Sequence, residues 1–151
     1  MQMISGQTPD NVVCFTIPGE PKSKQRPRVT ARGTFTPAET KEAEQRVQAA
    51  WTETGADPFA FQVIVTIDFF NGNKRRRDLD NMAKLVLDAL NKHAYADDFQ
   101  VVGLNLRKIS TTKELARTEI RLHEVIEWPC ETETIRTIPG TRSRLRSLRG
   151  N

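Results

Sequence analysis

The chain has little of what several chemistries would require. Two cysteines, Cys14 and Cys130, in 151 residues do not make a disulfide framework. Cys14 lies in an apolar run and is expected as a buried thiol, whereas Cys130 follows a proline in a polar segment and is expected at the surface. The two histidines, His93 and His123, are far apart, so the ligands for a zinc site are missing. There is no glycine-rich phosphate loop. No apolar run reaches the roughly 20 residues that span a bilayer, and no secretory leader is recognisable. The expectation is a soluble protein of a reducing cytoplasm, without membrane partners.

Charge is abundant, and its placement says more than its total. The formal net charge is +4 and the pI about 9.3. Five of the 23 basic residues and none of the 19 acidic ones fall between Arg136 and Asn151, so the rest of the chain is near neutral, 18 against 19. Its basic residues matter by clustering. Lys22, Lys24, Arg26, Arg28 and Arg32 form one group, and Lys74, Arg75, Arg76 and Arg77 form another. Such clusters suit a polyanionic partner.

The length suggests one domain. Beyond Trp128 the sequence is Thr, Glu, Ser, Gly and Arg without apolar periodicity, which divides the chain into a folded domain, 1–128, and a flexible basic tail, 129–151. Met1 to Asn11 is polar and expected to be loose. Val12 to Ile17 is short and β-branched, a strand. The prolines of the next segment forbid a helix. Val29 to Phe35 reads as a small hairpin turning at Arg32-Gly33. A helix should follow, with Thr36 as N-cap, Pro37 at its first position and Gly55 at its end. Phe59 to Phe70 is the strongest strand and belongs at the centre of a sheet. A second amphipathic helix should run from Leu79 to His93. The segments Phe99–Thr111 and Ala116–Val125 then read as two strands joined as an antiparallel pair. The order predicts an α+β domain, with two main helices on one mixed sheet.

The acidic residues Asp78, Asp80, Asp97 and Asp98 stand around the second helix. Hard divalent cations take carboxylate oxygens and keep several waters. Residues two apart in a regular helix point away from each other. Asp78 and Asp80 can therefore share an ion only at a strand-to-helix junction, which is where the sequence puts them. The plainer reading is also available: an aspartate before a helix is an ordinary N-cap worth about 1 kcal/mol, and a pair after one is an ordinary turn. Lys84 shares the helix face of Asp80 one turn on, where a lysine can steady charge developing on a phosphate.

The run "RRRDLDNMAKLVLDALNKHAYADDFQVV", Arg75 to Val102, resembles the RusA family of Holliday junction resolvases, common in phages and prophages, and "PGEPKSKQRPR", Pro18 to Arg28, is similar to a segment near the N-terminus of many phage-type members. The resemblance spans roughly Ile17 to Glu124. It implies a RusA-like fold and a Mg²⁺-dependent endodeoxyribonuclease, with Mn²⁺ as a substitute ion, acting as a homodimer on four-way or branched DNA in recombination and repair. By position, Asp78 and Asp80 match the first two catalytic, metal-holding aspartates and Lys84 the catalytic lysine. The third aspartate matches Asp98, with Asp97 as the alternative. With these roles assigned, Lys74, Arg75, Arg76 and Arg77 would hold phosphates beside the metal, and Lys24, Arg26 and Arg28 would contact the backbone further out. The cell would be a bacterium or a phage-infected one. The tail after Trp128 departs from the compact family pattern.

Three rival readings follow from the same residues. One is a DNA-binding module without catalysis, in which the aspartates only cap a helix. Another is a nuclease for flaps or other branches. The third is a metal-dependent transferase with a D-x-D pair, which the missing phosphate loop disfavours.

Overall fold

The computed structural model describes residues 11–125, so the expected boundary at 128, the tail 129–151 and Cys130 lie outside the described residues. The architecture is α+β. Strands β1 (Val12–Pro18), β4 (Gln62–Asn71), β5 (Val101–Ser110) and β6 (Arg117–Val125) form one mixed sheet in the order β1-β6-β4-β5. Strands β2 (Arg28–Thr30) and β3 (Gly33–Phe35) form a separate two-stranded hairpin. Helices α1 (Ala38–Glu53) and α2 (Leu79–Leu90) pack against each other and close the core on the sheet.

Strict alternation decides which strand residues enter that core. In β4, Val63, Val65, Ile67 and Phe69 are buried while the residues between them are only partly covered. In β1, Val13, Phe15 and Ile17 pack on the core, and Phe15 meets Trp51 of α1 edge-on with ring centroids 6.1 Å apart. Cys14 must then point the other way, and it is exposed, which corrects the expectation of a buried thiol. An apolar run is not a buried run when the period is two. Asn11, expected to be loose, is held to β6: its Nδ2 donates to Glu124 Oε2 at 3.0 Å, and its carbonyl accepts from the Glu124 amide.

Strand β4 is central, as its apolar run demands, but its neighbours differ from the expected pairing. It runs parallel to β5 and antiparallel to β6, which stand on its two sides. So β5 and β6 do not pair with each other. Parallel neighbours need a crossover, and α2 supplies it. The link from β5 then crosses the end of β4 at Gly72. A Cβ there would lie 2.6 Å from the Thr112 carbonyl oxygen, so only glycine admits the crossing chain.

The helix limits shift slightly from expectation. Pro37, not Thr36, is the N-cap of α1, and its carbonyl accepts from the amides of Thr40 and Lys41. Helix α2 ends at Leu90, three residues early, because Lys92 adopts a left-handed backbone (φ 64°) that turns the chain toward β5. Among the described residues no helix is long and apolar enough to cross a membrane.

Candidate active site

Helix α2 places the acidic residues by its pitch. Its buried stripe of Met82, Ala83, Leu85, Val86, Ala89 and Leu90 fixes its rotation on the sheet. Asp80, Lys84 and Asp88 then fall one turn apart along its other side. All three border a concavity of ≈ 280 Å³ between α2 and β5. Asp98, which opens a 3₁₀ turn just before β5, borders the same concavity. The floor is apolar, made by Ala83, Leu87, Val101, Leu104 and Leu106. Parallel pairing of β4 and β5 sends α2 back along the sheet, so Asp98, just before β5, lies toward the Asp88 end of the concavity, while Asp80 and Lys84 lie toward the start of the helix.

Asp78 occupies the N-cap position of α2, yet its side chain makes no capping bond. Its main-chain carbonyl accepts from the Met82 amide at 3.0 Å, and its Oδ2 accepts only a long 3.4 Å bond from Asn81 Nδ2. The capping that would explain this aspartate without function is absent. Asp78 does not line the concavity itself; it stands at the helix mouth, two residues from Asp80.

The two members of the Asp97-Asp98 pair have different employment. Asp97 caps the 3₁₀ turn: its Oδ1 accepts from the Phe99 amide at 3.2 Å, and Gln100 reaches back to the Asp97 amide. Gln100 also donates to the carbonyls of Phe59 and Phe61, both at 3.0 Å, which ties the turn to the start of β4. Asp98 is left facing the concavity. Loss of surrounding water, then the charges of Asp88 and Asp97, hold its pKa above the ordinary carboxylate value. The same place raises the pKa of Tyr95, through burial first and then Asp98 and Asp88. Three carboxylates, Asp80, Asp88 and Asp98, border the concavity, with Lys84 among them and Lys24 bonded to Asp88.

Among the described residues, no three acidic, histidine or cysteine side chains stand close enough to hold a metal ion alone. The donor set still fits a hard cation. Mg²⁺ is commonly held by one or two carboxylates with waters and substrate phosphate completing its shell. Asp80 and Asp98 each present a carboxylate to the concavity, with waters and phosphate left to complete such a shell.

The basic residues divide by what holds them. Lys24 donates from Nζ to Asp88 Oδ2, lies 3.5 Å from Glu44 Oε1, and donates its amide to the Asn81 carbonyl at 3.0 Å. Arg77 has a side chain only 7% exposed, held by Glu20 at 3.3 Å and Asn73 at 3.1 Å. These two brace the segments on either side of the site. Arg75 and Arg76 are exposed and, with Arg77, border a polar cleft against Lys22, Ser23 and Gln25. Arg26, Arg28 and Lys74 are exposed. Asp88 and Tyr95 went unnoticed as site residues in the sequence. Asp88 had a signal, its place eight residues after Asp80 on one helix face; Tyr95 offered only its being the single tyrosine.

A family profile described as "Endodeoxyribonuclease RusA" matches residues 18–123. The chain is 31% identical over 117 residues to "Crossover junction endodeoxyribonuclease RusA" of Escherichia coli (strain K12), covering 76% of this chain and 97% of that protein. The same figures hold for the protein of that name in Shigella sonnei (strain Ss046). The matched span holds every strand and helix except most of β1 and the last two residues of β6, and it includes Asp78, Asp80, Asp88, Asp97 and Asp98. With that extent and identity, the chain belongs to the RusA endodeoxyribonuclease family.

Proposed function

We infer that the protein is a Mg²⁺-dependent crossover junction endodeoxyribonuclease that cuts four-way DNA as a homodimer. The observation that carries the reading is the convergence of Asp80, Lys84 and Asp98 on one concavity in a chain of this family. Asp80 and Asp98 would hold the cation, with Asp78 beside them as the third carboxylate. A bound divalent ion would polarise the scissile phosphate and make water a better nucleophile. Lys84 offers a fixed positive charge between the two acids of its helix face, where charge grows on the phosphate during hydrolysis. Lys74, Arg75, Arg76, Arg26 and Arg28 hold the DNA backbone and set its register. Lys24 and Arg77 keep the segments that carry them in place.

The homodimer follows from the substrate. A four-way junction has two-fold symmetry and is resolved by two cuts in opposed strands. A C2 dimer presents two identical sites related by the same operation. The exposed Phe99 (79%) and Leu104 (42%) near the concavity offer apolar surface for a second copy to cover. An enzyme of DNA recombination and repair works in the cytoplasm of a bacterial or phage-infected cell, where Mg²⁺ is available and Mn²⁺ can replace it.

Cleavage of a synthetic four-way junction, measured beside a flap and a linear duplex of equal length, tests the reading. Symmetric paired cuts with Mg²⁺, lost in EDTA, are expected. Binding without cutting would make the protein a recognition module, and a preference for the flap would move its substrate.

A further inference from the structure

We propose that the β2–β3 hairpin is the branch-recognising element of this protein, with Phe35 and Arg28 stacking on a base laid bare at the DNA branch point. The proposal rests on the nuclease reading above and names the part of the molecule that separates branched from linear DNA. The hairpin stands apart from the main sheet, and every residue from 26 to 35 is exposed. A lone two-stranded ribbon is marginal in water, and this one has no apolar face packed on the core. Its two large apolar side chains are bare: Val29 is 80% exposed and Phe35 48%. Bare apolar groups on an outlying ribbon suit a partner that offers flat apolar surface.

The charge of the ribbon says what that partner is. Between Glu20 and Glu39 there is no acidic residue, while Arg26, Arg28 and Arg32 lie on or beside the hairpin. The base of the ribbon is continuous with the active site. Lys22, Ser23 and Gln25 share a cleft with Arg75 and Arg76, and Lys24 fastens the same segment to α2. A phosphate chain bound along that cleft leads to the hairpin at one end and toward the start of α2 at the other.

The register supplies the stacking surface. Arg28 pairs with Phe35, so ring and guanidinium stand side by side on one face of the ribbon. Both groups stack on the π-face of any base without reading its edge. In linear duplex those faces are hidden inside the base stack. At a branch point the last pair of each arm can expose one. A stacking surface at the open end of a basic ribbon, where it joins the cleft, therefore favours a branch over a duplex without requiring a sequence. The turn at the far end of the ribbon fixes this register: Thr30 Oγ1 donates to the Gly33 carbonyl at 3.1 Å, and Gly33 takes a φ of 122° that closes the turn.

The experiment uses the full chain and a four-way junction carrying 2-aminopurine at the branch point, with binding measured in Ca²⁺ and cutting in Mg²⁺. Phe35→Ala should lower junction affinity about 10-fold, leave duplex affinity unchanged, and abolish the fluorescence change that the wild type produces. Phe35→Trp should restore both. Arg28→Ala should weaken junction binding more than duplex binding, as the loss of a stacking partner requires, whereas Arg32→Ala should weaken both alike and lower the salt slope by about 1. Wild-type affinity and fluorescence in Phe35→Ala would overturn the proposal while leaving the nuclease reading intact. So would a Phe35→Ala protein that sediments as a monomer where the wild type is a dimer, since the ribbon would then belong to a second copy. A wild type that neither binds nor cuts branched DNA would remove the nuclease reading and the proposal together.

Discussion

Lys24 donates from Nζ to the carboxylate of Asp88, two turns along α2 from Asp80, and so fastens the proline-rich segment before the hairpin to the helix that carries the acidic residues. Burial opposes the lysine's charge, but the hydrogen bond and charge of Asp88, helped by Glu44, outweigh it and raise its pKa above 10.5. A lysine whose pKa is raised on folding stabilises the fold fully below its unfolded value, and that contribution is lost as pH rises through the folded value. Lys24→Met should therefore lower Tm by about 4 °C at pH 7, a loss of about 1 kcal/mol for a partly exposed pair. The gap between variant and wild type should close as pH climbs beyond 10.5. Thermal melts from pH 7 to 11 check it, and a gap that stays constant would assign the loss to packing of the lysine stem.

Asp98 behaves in the opposite sense. Desolvation and the negative charges of Asp88 and Asp97 raise its pKa, so ionising it at neutral pH costs folding stability. That cost is absent below the unfolded carboxylate pKa and is incurred in full once pH has risen through the folded one. Asp98→Asn should remove cleavage and yet raise Tm by about 1–2 °C at pH 7, with no gain at pH 3. A variant that is less stable at both pH values would show that the carboxylate is held by bonds rather than crowded by charge.

Gly72→Ala tests the crossing of the β5–β6 link over β4. The added Cβ would meet Thr112 O at 2.6 Å and Lys113 Cα at 2.7 Å, both backbone atoms that cannot step aside as a side chain can. The expected loss is about 1–3 kcal/mol, read by urea unfolding. Gly33→Ala, with open space around its Cβ, meets only the strain of its positive φ.

The sequence showed the α+β class, both helices and the central place of β4, because these depend on period and composition, which are local. It did not show that β4 would separate β5 from β6. Nothing in "TTKEL" announces a link that crosses another strand, and the one trace, Gly72, precedes it by forty residues. Around the concavity, the shared helix face of Asp80 and Lys84 was legible from their spacing of four, whereas Asp78, the N-cap, stays outside the lining. That Asp97 caps a turn while Asp98 faces the concavity depends on Gln100 and its hold on Phe59 and Phe61, a contact across the fold. The split within the basic groups was hidden for the same reason: Lys24 and Arg77 look like their neighbours until Asp88 and Glu20 are brought to them.

Asp80 carries the sharpest test of the metal site. It borders the concavity in the first turn of α2, is exposed, and shares the cavity with Lys84 and Asp98. Asp80→Asn keeps the size of the side chain and removes its charge. If the carboxylate holds the cation, cleavage of a four-way junction should fall by about 10³-fold or more, while junction affinity without metal holds or rises because a negative charge beside the phosphates is gone. Asp78→Asn separates two roles for its neighbour. Its carboxylate makes no capping bond, so the amide should leave Tm unchanged. Loss of cleavage at unchanged Tm would place Asp78 with Asp80 at the metal. Full activity would leave the ion to Asp80 and Asp98, and a lowered Tm would return Asp78 to the ordinary work of starting a helix. Mg²⁺ titration of the three proteins by calorimetry, read beside the cleavage rates, distinguishes these outcomes without relying on activity alone.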